Sequence, residues 1–343
     1  MLRWSRKKGP ATHAAASPKV PGNRLSFRSW GGSAKLTVGF FRYKKPRHCS
    51  HVLPTRLQNL VLFLALLFPR VAGGQILFDW PLRAGPQPEA VLTGAGATFW
   101  NPGGLASEVG TEQELWVLHV DGPDVTGVRG AAVAGVFSLP FGVRGGFGYW
   151  HLGIKDIPRT TTSPSPEAGE INVAEDVVVL GLTRGIGNGT GIGGALRLQR
   201  GAVGRDATTR IGGEFGIHHR TRLPTSPRFG LVLRGSRDEW RALAGVESAP
   251  LTLASARMPL RIGYGIEAGK GRGSPDHRLS FRASWVDQLH LGVGLSYLGS
   301  PDGWTPLWML GADLGRYSVS VIRESLANDF GPVHFFQASI RFP

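Results

Sequence analysis

Between residues 113 and 342 the chain alternates apolar and polar side chains in runs of about ten, and this period of two constrains the fold more than any other feature. Successive side chains of a strand point to opposite faces, so each run sorts its residues into two rows. Ile211, Phe215 and Ile217 fall in one row and Arg210, Glu214 and His218 in the other. Leu279, Phe281, Ala283 and Trp285 oppose Arg278, Ser280, Arg282 and Ser284. Leu291, Val293, Leu295 and Tyr297 alternate with His290, Gly292, Gly294 and Ser296, and Tyr317, Val319 and Val321 oppose Arg316, Ser318 and Ser320.

A soluble β-sandwich or propeller would alternate too, so the contents of the two rows decide. One row carries Arg, Glu and His and the other aromatic and aliphatic side chains, in runs long enough to cross a bilayer when tilted. That arrangement predicts an all-β fold, a transmembrane antiparallel β-barrel with a polar lumen and a lipid-facing exterior. Closure also removes the edges that so many strands would expose. Arg210, Glu214, His218, Arg278 and Arg282 are then the candidate lumen residues.

Turn chemistry divides the wall. Leu139-Pro140-Phe141-Gly142 joins a run ending near Ser138 to Val143–Ile154, and Gly187-Asn188-Gly189-Thr190 joins Val177–Ile186 to Gly191–Arg200. The polar stretches Lys155–Glu170 and Arg234–Ala249 read as loops. The runs number 13 or 14, the ambiguity lying at Leu251–Met258 between Pro250 and Pro259, and even-numbered closure predicts about 14 strands.

Composition matters chiefly for what precedes the wall. The first 74 residues hold 14 of the 39 Lys and Arg and none of the 24 acidic residues, which leaves 25 basic against 24 acidic residues in the rest. The formal charge of +15 therefore belongs to the leader, and a nucleic-acid partner, which needs a concentrated basic footprint, is not expected. Leu60–Phe68 is an unbroken apolar run that as a helix would rise only about 14 Å, far short of a roughly 30 Å hydrocarbon layer. With small residues at Ala72-Gly73-Gly74 behind it, the run has the form of a signal peptide over 57–74. Residues 1–56 are a basic leader or lie upstream of the true start; Val52, Leu53 and Leu57 are alternative start positions, and an Arg-rich, acid-free stretch is also the composition of a transit peptide. The one cysteine, Cys49, lies in this leader, so the wall has no thiol chemistry.

Residues 75–112 contain Phe99-Trp100-Asn101-Pro102-Gly103-Gly104-Leu105-Ala106, read as a short N-terminal lumenal plug before a barrel over 113–343. Asn101 can turn the backbone, Pro102 suits a first helical position and Gly103-Gly104 permits close approach to a wall. A surface turn before the first strand is the plainer alternative. The octapeptide resembles the WNPAGLA motif of PorV/PorQ-type outer-membrane proteins and their relatives in the FadL superfamily, with Gly103 in place of the usual Ala. Asp156-Ile157-Pro158-Arg159-Thr160-Thr161, following a strand that contains Tyr149, resembles the first long loop of that group. The resemblance implies a 14-stranded barrel in the bacterial outer membrane, with partners among secretion-system components and secreted cargo; the alternative it leaves open is a FadL-like channel for hydrophobic small molecules.

The last run places Phe336, Ala338, Ile340 and Phe342 in one apolar row beside Gln337, Ser339 and Arg341, and resembles the C-terminal strand by which barrel-assembly machinery recognises outer-membrane proteins, here followed by Pro343. Outer-membrane lipid and that machinery are the other expected partners. No enzyme signature accompanies the pattern. The alternating glycines at 185–193 and 269–273 lack the strand-to-helix setting and the Lys-Ser/Thr of a phosphate loop. Adjacent His218 and His219 face opposite ways, and no nucleophile elbow surrounds Ser280 or His290. No cofactor is expected.

Overall fold

The computed structural model describes residues 85–343 apart from 107–112, 159–169, 188, 222–225, 237–238, 254–257, 271–273, 286–287, 298–303 and 326–330. The signal peptide, the basic leader and Arg159–Thr161 lie outside the described residues.

Fifteen strand segments form one antiparallel sheet that closes on itself. They are β1 (Gln113–Asp121), β2 (Val128–Ser138), β3 (Val143–Pro158), β4 (Glu170–Ile186), β5 (Thr190–Val203), β6 (Asp206–Arg220), β7 (Arg228–Gly235), β8 (Trp240–Glu247), β9 (Leu251–Leu253), β10 (Met258–Gly269), β11 (Asp276–Trp285), β12 (Leu289–Tyr297), β13 (Trp304–Leu314), β14 (Tyr317–Ser325) and β15 (Pro332–Phe342). Closure runs through β15 and β1, with Gln113 opposite Phe342 and Asp121 opposite His334.

β8 and β9 lie end to end along the same edge of β10, Glu247 opposite Gly263 and Leu251 opposite Leu260. They are one wall strand interrupted at Ser248-Ala249-Pro250, so the wall has 14 strands. Pro250 has no amide to give the ladder, and Ser248 bridges the break by donating its N–H to Ile262 O at 2.7 Å and accepting from Ile262 N at 2.9 Å on Oγ.

The expected loop over Arg234–Ala249 is corrected here: β7 ends at Gly235, a connection over 236–239 follows, and Trp240–Glu247 is wall. Its inward row is Arg241, Leu243, Gly245 and Glu247, and its outward row is Trp240 followed by the small Ala242 and Ala244. Charges that belong to the lumen therefore imitated loop polarity. The long loop is also shorter than expected, since β3 runs past a bulge between Ile154 and Ile157 to Pro158, which puts Asp156–Pro158 in the strand. In the Pro140–Gly142 turn the positive φ falls on Phe141 (65°) as well as Gly142 (70°).

The outward rows hold the residues that sequence alternation assigned to lipid, among them Phe215, Phe281, Trp285, Leu291, Val293, Tyr317, Val319, Phe336 and Phe342, all exposed. In water such a surface would be untenable; in a bilayer it is the solvated face. Both wall termini lie at one end, called here the terminal end, with the tight turns at 139–142 and 315–316; Pro158, Glu170, Tyr297, Trp304, Ser325 and Pro332 stand at the other, the loop end.

Candidate functional site: the filled lumen

The inner surface of the wall is occupied by residues 85–106, which run as three 3-10 turns, Glu89–Val91, Ala95–Phe99 and Pro102–Ala106. Gly, Ala and Pro dominate the segment, so it has little side-chain bulk and can thread a space already narrowed by inward side chains. What it lacks in bulk it replaces with backbone contact. A β-carbon built at Gly103 would lie 2.8 Å from Gly191 O, Gly216 O and His218 N, three main-chain atoms of β5 and β6. Alanine at this position, the residue of the resembling motif, is therefore not a neutral exchange in this chain.

The wall reciprocates with inward glycines. A β-carbon at Gly148 would meet Phe99 Cε1 at 2.6 Å, one at Gly146 would meet Leu105 Cδ1 at 2.8 Å, and one at Gly193 would meet the Pro102 carbonyl carbon at 2.7 Å. Gly230 and Gly265 seat Ala90 and Pro88 in the same way. Many of the chain's 50 glycines thus form the bed of the segment, a use that alternation alone did not reveal.

Asn101 is fully buried and joins three elements. Its Nδ2 donates to Ala90 O, in the first turn, and to Ile217 O of β6 at 3.1 Å, while Oδ1 accepts from Gly103 N at 2.9 Å. Phe99 is also fully buried, its ring 5.6 Å from that of Trp100, 6.0 Å from Trp116 of β1 and 5.4 Å from Trp150 of β3. The Phe99 carbonyl accepts from Arg197 Nη2 at 2.7 Å and Arg234 Nη2 at 2.8 Å, and both guanidinium groups lean on Glu214, their Nε atoms 2.5 and 2.9 Å from its Oε1. Arg197 also lies over the Trp150 ring at 5.4 Å. Two further charges hold the segment: Ala95 N donates to Glu114 Oε2 at 2.8 Å, and Arg278 pairs with Glu89.

Phe99, Trp100, Asn101, Pro102, Gly103, Gly104 and Leu105 are accordingly all buried inside the wall. Arg210, Glu214, His218, Arg278 and Arg282 all face inward, but they divide. Glu214 and Arg278 reach the segment or its anchors, and His218 backs Gly103. Arg210 pairs with Glu239 at 3.2 Å towards the loop end, and Arg282 pairs with Glu247 towards the terminal end. Phe336, Ile340 and Phe342 are on the outer face of β15. Sequence reasoning missed Arg197, Arg234, Trp116, Trp150 and Glu89; the first two carry the same inward parity as Glu214 on neighbouring strands, and their register to it was the missing datum.

The inner wall has two characters. On β13–β15 and β1–β4 the inward rows carry a buried apolar strip, with Leu307, Ile322, Phe335, Leu118, Val120, Val128, Leu152 and Val177 continuous with the Phe99 cluster, among which Glu175, Thr183, Thr305 and Glu324 are buried polar members of the same rows. On β5–β11 the inward row is charged. Ser280, weighed with His290, instead faces Gly294; it is Ser284 whose Oγ lies 3.0 Å from His290 Nδ1, with His290 Nε2 2.8 Å from Asp313 Oδ2. Among the described residues no group of three or more His, Cys, Asp or Glu is placed to hold a metal.

No known sequence family matches the chain, and no curated protein does. Solved structures do. The toluene transporter TbuX of Ralstonia pickettii superposes with a TM-score of 0.51 at 11% identity, covering 75% of this chain and 97% of TbuX. A FadL homologue of Pseudomonas aeruginosa gives 0.50 at 10% identity, covering 75% and 96%. CdiB of Acinetobacter baumannii gives 0.42 at 12% identity, covering 68% of this chain and 60% of CdiB's length. What the chain shares with TbuX and the FadL homologue is the fold, a closed antiparallel β-barrel.

Proposed function

We propose that the protein is an outer-membrane channel for small hydrophobic molecules in which residues 85–106 are the gate. The observation that carries this reading is the continuous apolar strip of the lumen. A water-filled porin keeps its interior polar, whereas here a continuous inward strip runs from the Phe99, Trp100, Trp116 and Trp150 rings to Val120, Ile322 and Phe335. Displacement of the gate exposes that strip as a greasy path. The terminal end, with its tight turns, faces the periplasm and the loop end the outside; TbuX and the FadL homologue supply the analogy for substrate class. In this orientation Phe336, Ile340 and Phe342 meet lipid and present the last strand to the assembly machinery.

A second reading, a PorV/PorQ-type partner in protein secretion, is favoured by the Phe99–Ala106 motif and by the number of buried bonds that pin it. The two separate in one experiment. In a bacterial host lacking its own outer-membrane fatty-acid transporter, the full chain should raise uptake of oleate or toluene above the vector control, and Asn101→Ala should raise it further. A heat-modifiable, membrane-inserted protein that moves neither compound overturns the channel reading, and its co-purification with secretion components establishes the second.

A further inference from the structure

Three strand ends meet on the inner face of the wall near the terminal end. Ser284 is the last residue but one of β11, His290 the second of β12 and Asp313 the last but one of β13. The ladder sets Ser284 opposite His290 and His290 opposite Gly311, so Asp313, two residues beyond Gly311, shares their face. Asp313 N donates to Gln288 O at 2.7 Å, which ties β13 to the β11–β12 turn and fixes the carboxylate's height beside the imidazole.

Ser284 Oγ lies 3.0 Å from His290 Nδ1, and Asp313 Oδ2 lies 2.8 Å from His290 Nε2. A carboxylate only accepts, so the Nε2 proton points at Asp313 and Nδ1 keeps its lone pair for the serine hydroxyl. The hydroxyl therefore donates to the ring. That is the polarity by which a base activates a nucleophile.

Other histidines of the wall touch a hydroxyl or a carboxylate without joining the two. Thr190 Oγ1 lies 2.7 Å from His219 Nδ1, and Tyr264 Oη lies 2.7 Å from His277 Nδ1. On the outer face His151 Nδ1 and Tyr149 Oη both address one oxygen of Asp176, at 2.8 and 2.9 Å. Among the described residues, His290 alone has a hydroxyl on one ring nitrogen and a carboxylate on the other. The trio also meets solvent: the His290 side chain is 27% exposed, that of Asp313 40%, and Ser284 is half-buried.

We propose that Ser284 is a nucleophile activated by His290 and Asp313, and that this end of the lumen hydrolyses small carboxylic esters. Oγ attacks the ester carbonyl carbon as its proton passes to His290 Nδ1. The adduct collapses with cleavage of the bond from carbonyl carbon to alkoxy oxygen, and the Nδ1 proton leaves with the departing alcohol or phenol. Water then adds to the acyl-serine and gives a proton to Nδ1; the carboxylic acid departs as Oγ regains that proton. Asp313 holds the tautomer and offsets the imidazolium charge in both halves. Aryl esters of short acids, whose leaving groups depart with little assistance, are the class on which the trio acts most readily. The chemistry needs these three side chains and water, so it stands apart from the channel reading.

The test uses the full chain folded in detergent, with heat-modifiability as the check of folding. A fluorophosphonate probe should label the wild type, and peptide mass spectrometry should place the adduct on Ser284. p-Nitrophenyl butyrate should be hydrolysed with saturation, and kcat/KM should fall by about a hundredfold or more in Ser284→Ala and His290→Gln. Asp313→Asn should lower it by about tenfold or more, through kcat and not KM. A trio that only ties three strands together would lose stability in these variants, while the wild type showed neither adduct nor turnover. Labelling needs no variant, so it decides the matter even where a substitution prevents folding. A folded wild type that stays unlabelled at Ser284, or that hydrolyses the ester no faster than folded Ser284→Ala, overturns the proposal.

Discussion

Arg197 of β5 and Glu214 of β6 meet at 2.5 Å inside the wall, and the same guanidinium donates to the Phe99 carbonyl at 2.7 Å. A wall ion pair and the hold on the lumenal segment are thus one structure: whatever disturbs the pair loosens Phe99.

Glu214→Gln tests this. The substitution removes the carboxylate that Arg197 and Arg234 share, and breaking a buried pair in this way costs about 3–5 kcal/mol. The barrel's other pairings are untouched, so the loss should appear first as release of the segment. Limited proteolysis should cut between residues 85 and 106 in the variant and not in the wild type, while heat-modifiability persists. A variant whose segment is protected as well as the wild type's would show that Arg197 and Arg234 hold Phe99 without Glu214.

Asn101→Ala removes two donors and one acceptor and strands Ala90 O, Ile217 O and Gly103 N in a dry interior. Each buried group left unpaired costs about 1–3 kcal/mol. Planar-bilayer recordings of the purified variant should show openings that the wild type lacks; an equally silent variant would mean that the turn is held by packing alone.

Gly103→Ala probes the bed. The added methyl meets three main-chain atoms at 2.8 Å, none of which can rotate away, and overpacking of this kind typically costs 1–3 kcal/mol. The unfolding midpoint in denaturant should fall. An unchanged midpoint would show that β5 and β6 move apart at little cost.

The wall was legible because its two rows differ in chemistry: Phe215 against Glu214, or Phe281 against Arg282, declares a face whatever the rest of the fold does. Trp240–Glu247 was not, since lumenal Arg241 and Glu247 and the small outward alanines weaken the contrast. Parity says which way a side chain points but not how high on the wall it stands, so nothing in the sequence distinguished Arg210, which reaches Glu239, from Glu214, which anchors the segment. The aromatic motif could be placed in the lumen by resemblance, but its seat depends on inward glycines that, read singly, are only turn or strand residues.

Outward parity has its own test. Val293, at the centre of β12 and 52% exposed, faces lipid in this structure. Val293→Arg should destabilise the barrel in bilayers by roughly 2–4 kcal/mol, the cost of a cation at mid-depth. Measured by refolding into vesicles, a neutral effect would place this row in water and remove the membrane assignment of β12.

Phe99→Ala separates the gate's anchor from its filling. The main-chain carbonyl that Arg197 and Arg234 hold is retained, so the segment keeps its place, while the lost ring leaves a void among Trp100, Trp116 and Trp150. Truncating a fully buried Phe costs about 3–5 kcal/mol, part of it from the cavity itself. A void lined by apolar rings stays dry and accepts a small aromatic guest. Toluene at saturating concentration should therefore restore much of the variant's lost thermal stability and leave the wild type unmoved. If toluene restores nothing, the three Trp rings close over the gap, and the apolar strip of the lumen is a packing core that cannot serve as a path for hydrophobic molecules.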